Sequence, residues 1–177
     1  GACHEILARR TLFTSFTLLA ALCLVPLPAL AHPGEFERIE ILTQRIKAQP
    51  LNPSLYIDRA ASYSHDGDYP LAMKDLERAA LLGDPVMAAF ELGLVHARKG
   101  ERAKARLEFD RYLERFPNHA RALEERARVL AELGETDAAA ADYERMFAVT
   151  PSPNPGSYLS AAKIFVPESG GDLTLAL

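Results

Sequence analysis

Residues 53–85 read PSLYIDRAASYSHDGDYPLAMKDLERAALLGDP, and this stretch decides the fold. It holds two short amphipathic helical patterns parted by Gly67-Asp68. The punctuation then recurs, with Gly100 placed 33 residues after Gly67 and Gly134 placed 34 after Gly100. Each glycine stands at the same point of a pair of helical patterns, and each pair ends near a proline. Such a period marks helix–turn–helix units that cannot bury an apolar face alone and stack on their neighbours to do so. No sustained period-2 alternation and no Asn-Gly hairpin signal competes with it. The fold class expected is all-α, a solenoid of three helical hairpins.

The local chemistry agrees with that division. In the first unit, residues 53–85, helices are expected over 54–66 and 70–82. Gly67 supplies a left-handed C′ position, and Pro70 falls in a first turn where its missing N–H is harmless. Gly83-Asp84-Pro85 reads as a C′ glycine, an N-cap and an N1 proline. The second unit, 86–119, breaks at Gly100, and Phe116-Pro117 with Asn118 ends it and caps the next helix. The third, 120–152, breaks at Gly134, with Thr136 as N-cap. Residues 32–52 carry Phe36, Ile39, Leu42 and Ile46 as one stripe, an N-terminal capping helix. After the stiff Pro151–Pro155 linker, residues 153–166 form a C-terminal helix with Tyr158, Ala162 and Phe165 as its buried stripe. That helix is either a cap or the first half of a fourth unit. Residues 167–177, with Gly170-Gly171, read as a flexible tail.

Residues 1–31 read as a signal peptide. Arg9 and Arg10 precede a mostly apolar run over 11–25, Pro26 and Pro28 break it, and Ala29-Leu30-Ala31 suits cleavage before His32. The run is short for a ~30 Å hydrocarbon core, although an uncleaved anchor or a buried helix is the alternative. Leu22 before Cys23 argues against a lipoprotein signal. A periplasmic or secreted location is therefore expected, with a membrane met only through an uncleaved segment. Cleavage would remove Glu5, Arg9, Arg10 and both cysteines and leave a formal charge of −5. A chain of that charge lacks the basic footprint a nucleic-acid partner needs. Without cysteine it has no disulfide to form in an oxidising compartment.

Catalytic and metal signatures are missing. His4, His32, His65, His96 and His119 make no metal-ligand spacing, and there is no H-E-x-x-H, phosphate loop or G-x-S-x-G. His65 and His96, near the ends of their helices, suit capping or the surface. Carboxylates such as Asp110 with Glu114, or Glu124 near Arg128, read as helix-surface groups. Neither enzyme activity nor a cofactor is expected. One minor alternative is copper held by the imidazole and free amine of a mature N-terminal His32.

The units resemble the tetratricopeptide repeat. In the first, Tyr56, Ala60, Tyr63, Gly67, Tyr69, Ala72, Leu76 and Ala79 fall at that family's marker positions. In the second, Leu92, Gly93, Gly100, Ala105, Phe109 and Pro117 do, with Tyr112 where alanine is usual. In the third, Ala127, Leu130, Gly134, Ala139, Tyr143 and Pro151 match, with Met146 at the late small position. The resemblance implies a right-handed α-solenoid whose first (A) helices line a concave groove for a protein or peptide. Small residues would let helices A and B cross closely, as at Ala60 and Gly93. The implied groove positions are Ile57, Ala61, Ser64 and His65, then Met87, Phe90, Leu94 and Arg98, then Arg121, Glu124, Arg128 and Glu132. The groove would pass from apolar to charged, with Phe90 and Leu94 anchoring an apolar side chain unless they serve the core. Ile57, Ala61, Phe90 and Leu94 occupy the places where some members hold a terminal carboxylate with Lys and Asn, which argues against that specificity. The function implied is a non-catalytic exported interaction scaffold. An accessory subunit of a larger envelope enzyme or transport assembly is the alternative.

Overall fold

The structure, a computed structural model, describes residues 33–165. The proposed signal segment, His32 and the tail lie outside the described residues. Among those described there are eight α-helices and no strand. They are α1 (Pro33–Ala48), α2 (Pro53–Asp66), α3 (Tyr69–Leu82), α4 (Pro85–Arg98), α5 (Arg102–Arg115), α6 (Ala120–Glu132), α7 (Thr136–Val149) and α8 (Pro155–Phe165). Helices α2–α3, α4–α5 and α6–α7 are antiparallel hairpins, and the second helix of each packs on the first of the next. The first helices also touch in succession, α2 on α4, α4 on α6 and α6 on α8. The chain is thus an all-α solenoid.

The two flanking helices keep the register of the hairpins. Helix α1 packs on α2 as α3 does on α4 and α5 on α6, so it sits as the second helix of a hairpin would. Helix α8 touches α7 and α6, as the first helix of a fourth unit would. Its buried residues are Ser157 and Ala161. The stripe expected at Tyr158 and Ala162 is off by one residue, for both are exposed. Ala161 continues the column of small residues Ala60, Gly93 and Ala127, and that period fixes which face turns inward. Tyr158 instead stacks on Phe147 at 4.7 Å. On α1, Leu42 and Ile46 are buried, but Phe36 is 68% exposed because the stripe runs past the end of α2.

Turn chemistry follows the glycines closely. Gly67, Gly100 and Gly134 adopt φ of +84°, +76° and +82°, the left-handed region that costs a side chain most. Gly83 departs from expectation, with φ −146° and ψ −155°, which is extended backbone. Its lack of a side chain serves a close approach instead, since a Cβ there would lie 3.0 Å from Cγ of Pro53. Asn52, Asp68 and Asp84 accept from Ser54, Leu71 and Val86 N–H and cap α2, α3 and α4. Two expected caps are wrong. The cap of α6 is His119, whose Nδ1 accepts from Ala122 N–H at 3.1 Å, while Asn118 Oδ1 accepts from Arg145. Helix α7 starts at Thr136 itself, preceded by Glu135 with no side-chain cap.

Small residues permit the close helix crossings. Ala60, Ala72, Ala105, Ala127 and Ala139 are each 0% exposed. A Cβ built on Gly93 would lie 2.6 Å from Cε1 of Phe109, so α4 and α5 meet with no room for a methyl group. Phe109 and Tyr143 are fully buried and, with Leu123, anchor the largest core cluster, which runs from α4 to α8. Fixed aromatic contacts of this kind leave little freedom to relax around an added atom.

Candidate protein-binding groove

The first helices of the hairpins place one residue column on a common inner wall. Asp58, Glu91 and Glu125 recur at 33 and 34 residues along α2, α4 and α6. A cavity of about 280 Å³ opens on this wall. Glu35 and Arg38 of α1, Asp58, Ala61, Ser62 and His65 of α2, Glu91 and Arg98 of α4 and Arg121 of α6 line it. One turn of helix advances the wall by three or four residues, which is why 58, 61, 62 and 65 share a face.

Of the positions expected from sequence, Ala61, His65, Arg98 and Arg121 line this cavity. Ile57 is half-buried between two core clusters, and Ser64 is 1% exposed and accepts from Arg98 Nη1 at 2.6 Å. Phe90 and Leu94 are 8% and 4% exposed, so the apolar anchor expected there is core. Phe90 packs on Phe109, Tyr112 and His119 rather than on α1, with centroids 6.0, 5.4 and 5.3 Å away. Met87 is half exposed but does not line the cavity. Glu124 pairs with Arg128 at 2.6 Å and accepts from Ser157 Oγ, and Glu132 pairs with Arg102. The gradient from apolar to charged is therefore replaced by a wall charged from its first helix.

Asp58, Ser62 and Glu91, with Glu35 and Arg38 of α1, were not expected in the groove. The signal for Asp58 and Glu91 lay in the repeat itself. Carboxylates recur at 58, 91 and 125, one residue after the positions chosen at 57, 90 and 124. A shift of one residue turns a helical side chain by about 100°, enough to exchange core for groove.

Burial pushes the Glu91 carboxyl pKa up, and Arg121 and Arg98 offset this only in part. Asp58 and Glu125 add to the upward shift, so the three carboxylates feel one another across the wall. Among the described residues, the Glu91 carboxyl has no hydrogen bond or ion pair. The two arginines that act on it also make other contacts, Arg98 donating to Ser64 and Arg121 lying over the Phe90 ring at 5.3 Å. His65 Nδ1 lies 3.8 Å from Glu35 Oε1. Two polar atoms of residues that line the cavity, Glu35 Oε2 and Ser62 Oγ, are shut from solvent and make no hydrogen bond. Among the described residues, no group of three His, Cys, Asp or Glu side chains could hold a metal ion. No described helix is long and apolar enough to cross a membrane.

Stacked hairpins with a polar inner wall define a helical-repeat scaffold. The family model for the tetratricopeptide repeat matches residues 90–154. The crystal structure of MamA is similar in fold, with 19% sequence identity and a TM-score of 0.62, over 78% of this chain and 84% of that one. No curated protein matches the chain in sequence. Residues 90–154 thus carry the sequence pattern of the tetratricopeptide repeat, and MamA shares the helical-solenoid fold.

Proposed function

We propose that the chain is an exported, non-catalytic scaffold that holds a segment of another protein along the wall formed by α1, α2, α4 and α6. The observation that carries this reading is the charged cavity, to which four helices contribute and whose polar groups are in part unpaired. Helical solenoids commonly bind extended or helical segments on such a surface. The pattern over residues 9–31 supports export. A photoreactive residue placed at Ala61, on the cavity, and another at Leu107, an exposed position on α5 that does not line it, test the location. Cross-linking from position 61 alone, abolished by Arg98→Glu, is the expected result. Equal cross-linking from position 107 would move the binding surface elsewhere. Mass determination of the protein recovered from the cell envelope tests removal of residues 1–31.

A further inference from the structure

The helices are joined to one another unevenly along the solenoid. Where α1 meets α2, Arg59 Nη1 donates to Thr43 Oγ1 at 3.0 Å, and where α5 meets α6, Arg126 Nη1 donates to Asp110 Oδ1 at 2.8 Å. Each arginine also holds an aspartate of its own hairpin, so it ties three helices together. At the joint of α3 with α4 the corresponding residues are Leu92 and Leu76, which can form no such bond. The apolar core divides at the same place. The largest cluster runs from Phe90 and Leu94 of α4 to Ala161 of α8 and takes no residue from α1, α2 or α3. Two smaller clusters fill α1–α3, and Ile57 packs against both. The second reaches α4 through Ala88, Val95 and half-buried Leu92, set against Ala60, Ala72 and Leu76. Alanine buries little area, so this seam is held by less apolar surface than the aromatic packing of Phe90 on Phe109 and Tyr112.

Gly83 and Asp84 alone link α3 to α4, where residues 49–52 and 116–119 link the hairpins elsewhere. Gly83, in extended backbone, turns about its bonds over a wider range than other residues, which suits a pivot. The cavity straddles this joint, with α1 and α2 on one side and Glu91, Arg98 and Arg121 on the other. Two interactions on the inner wall oppose each other. Arg98 Nη1 donates to Ser64 Oγ at 2.6 Å and draws α4 toward α2. Asp58 and Glu91 carry like charge across the same gap, and Asp58 helps to hold the Glu91 pKa up. We propose that the joint of α3 with α4 is a hinge, on which α1–α3 and α4–α8 turn as two bodies to widen the cavity for a bound segment and close over it. The bond from Arg98 to Ser64 is the contact made on closing. The purpose of the hinge rests on the groove reading above, whereas its existence is measured in the free chain.

Distance distributions between two spin labels in the full chain test it, with the labels on ketone-bearing residues so that the cysteines stay untouched. One pair replaces exposed Glu77 on α3 and Glu144 on α7 and spans the joint. The other replaces exposed Leu107 on α5 and Lys163 on α8 and does not. The first distribution should be about twice as broad as the second. Arg98→Ala should lengthen the mean distance of the first pair and Asp58→Asn should shorten it. Neither should move the second pair, and thermal melts check that both variants fold. Equal widths for the two pairs, whether narrow or broad, would overturn the hinge. So would a first pair that fails to lengthen in Arg98→Ala or to shorten in Asp58→Asn, or a second pair that shifts as much. All of these outcomes leave the groove standing, because no ligand is present. Equal cross-linking from position 107 would instead remove the groove and leave the hinge.

Discussion

Hairpins α2–α3 and α6–α7 are each tied by a bidentate ion pair, and the hairpin between them is not. Arg59 donates through Nε and Nη2 to Asp75 at 2.7 and 2.8 Å, and Arg126 donates likewise to Asp142 at 2.7 and 2.7 Å. Each arginine also reaches back to the preceding helix, Arg59 to Thr43 Oγ1 at 3.0 Å and Arg126 to Asp110 at 2.8 Å. The hydrogen bond to the aspartate is the chief reason that both guanidinium pKa values are raised. In the middle hairpin the 33- and 34-residue register puts Leu92 at the arginine position and Glu108 at the aspartate position. Glu108 Oε2 is buried and makes no hydrogen bond, with Arg111 no nearer than 3.9 Å. Here the chain relies on packing, for Gly93 lets Phe109 lie directly against α4. The same architecture is therefore closed in two ways, by a polar clasp in the outer hairpins and by an aromatic wedge in the middle one.

The largest effect is expected where a clasp is cut on one side. Arg126→Leu leaves Asp142, 6% exposed, without its partner and also releases Asp110. Breaking a buried pair in this way should cost about 3 kcal/mol, whereas replacing both members by apolar residues is often close to neutral. Chemical denaturation of Arg126→Leu and of Arg126→Leu with Asp142→Leu should show a large loss followed by recovery of most of it. A double variant no better than the single would mean that the clasp contributes more than relief of an uncompensated charge.

The wedge should show itself next. Alanine is ordinarily favoured over glycine within a helix by about 1 kcal/mol. At Gly93 the added Cβ meets a Phe109 ring that is fully buried and cannot swing aside. Gly93→Ala should therefore destabilise by about 2 kcal/mol, an overpacking cost that reverses the usual sign. A rise in melting temperature would show that α4 and α5 can separate without penalty. The same crossing in the third hairpin already holds Ala127, so Ala127→Gly should lose the helix preference together with one buried methyl group, about 1–2 kcal/mol.

A smaller effect belongs to the joint between the middle and third hairpins. The His119 pKa is lowered, first by burial and then by Arg121. Its Nδ1 must be unprotonated to accept from Ala122 N–H and cap α6. Because the folded value lies below the unfolded one near 6.5, the unfolded chain takes up the proton first as pH falls. The cap's contribution is complete above pH ~6.5 and is lost below it as the folded pKa is passed, a change of about 1 kcal/mol at most. His119→Asn keeps an acceptor without a titrating group and should flatten stability over that window. An identical pH profile for both proteins would exclude this cap as the source.

How much of this was legible in the sequence depended on what each residue answers to. Gly67, Gly100 and Gly134 answer to local backbone geometry, and their spacing was enough to divide the chain into hairpins. Ala60 and Gly93 answer to crossings that every unit repeats, so they too were readable. The caps at His119 and Glu135 were missed because histidine is not a usual cap and Thr136 looked better than its neighbour. The groove failed at Ile57, Phe90 and Leu94 for a different reason. Ile57 and Phe90 are each one residue from the wall, while Leu94 keeps the register of Ala61 but is taken into the core cluster that α4 shares with α5 and α6. Glu35 and Arg38 could not be placed at all, since α1 had been read as a cap lying outside the repeat.

Leu92→Arg brings the comparison to its finest point, because it would restore part of the clasp to the one hairpin without it. An arginine there would find Glu108 at the place of Asp75 and Asp142, but the fully buried Leu76 at the place of Thr43 and Asp110, so only half of the clasp could be rebuilt. It would also withdraw a partly buried leucine from the cluster of Ala60, Ala72 and Leu76. Gain and loss are of similar size for an ion pair exchanged against apolar packing, so stability should stay within about 1 kcal/mol of the parent. The sharper readout is the coupling between Leu92→Arg and Glu108→Gln in a double-mutant cycle, which should be favourable once a guanidinium lies against the carboxylate. If that coupling is absent while Leu92→Arg still folds, the middle hairpin differs from its neighbours in the path of its backbone and not merely in one side chain. Adding Glu108→Asp, which shortens the acid to match the outer hairpins, would then separate the two explanations: a pair that forms only with the shorter side chain points to reach, and a pair that forms with neither points to the helix crossing set by Gly93.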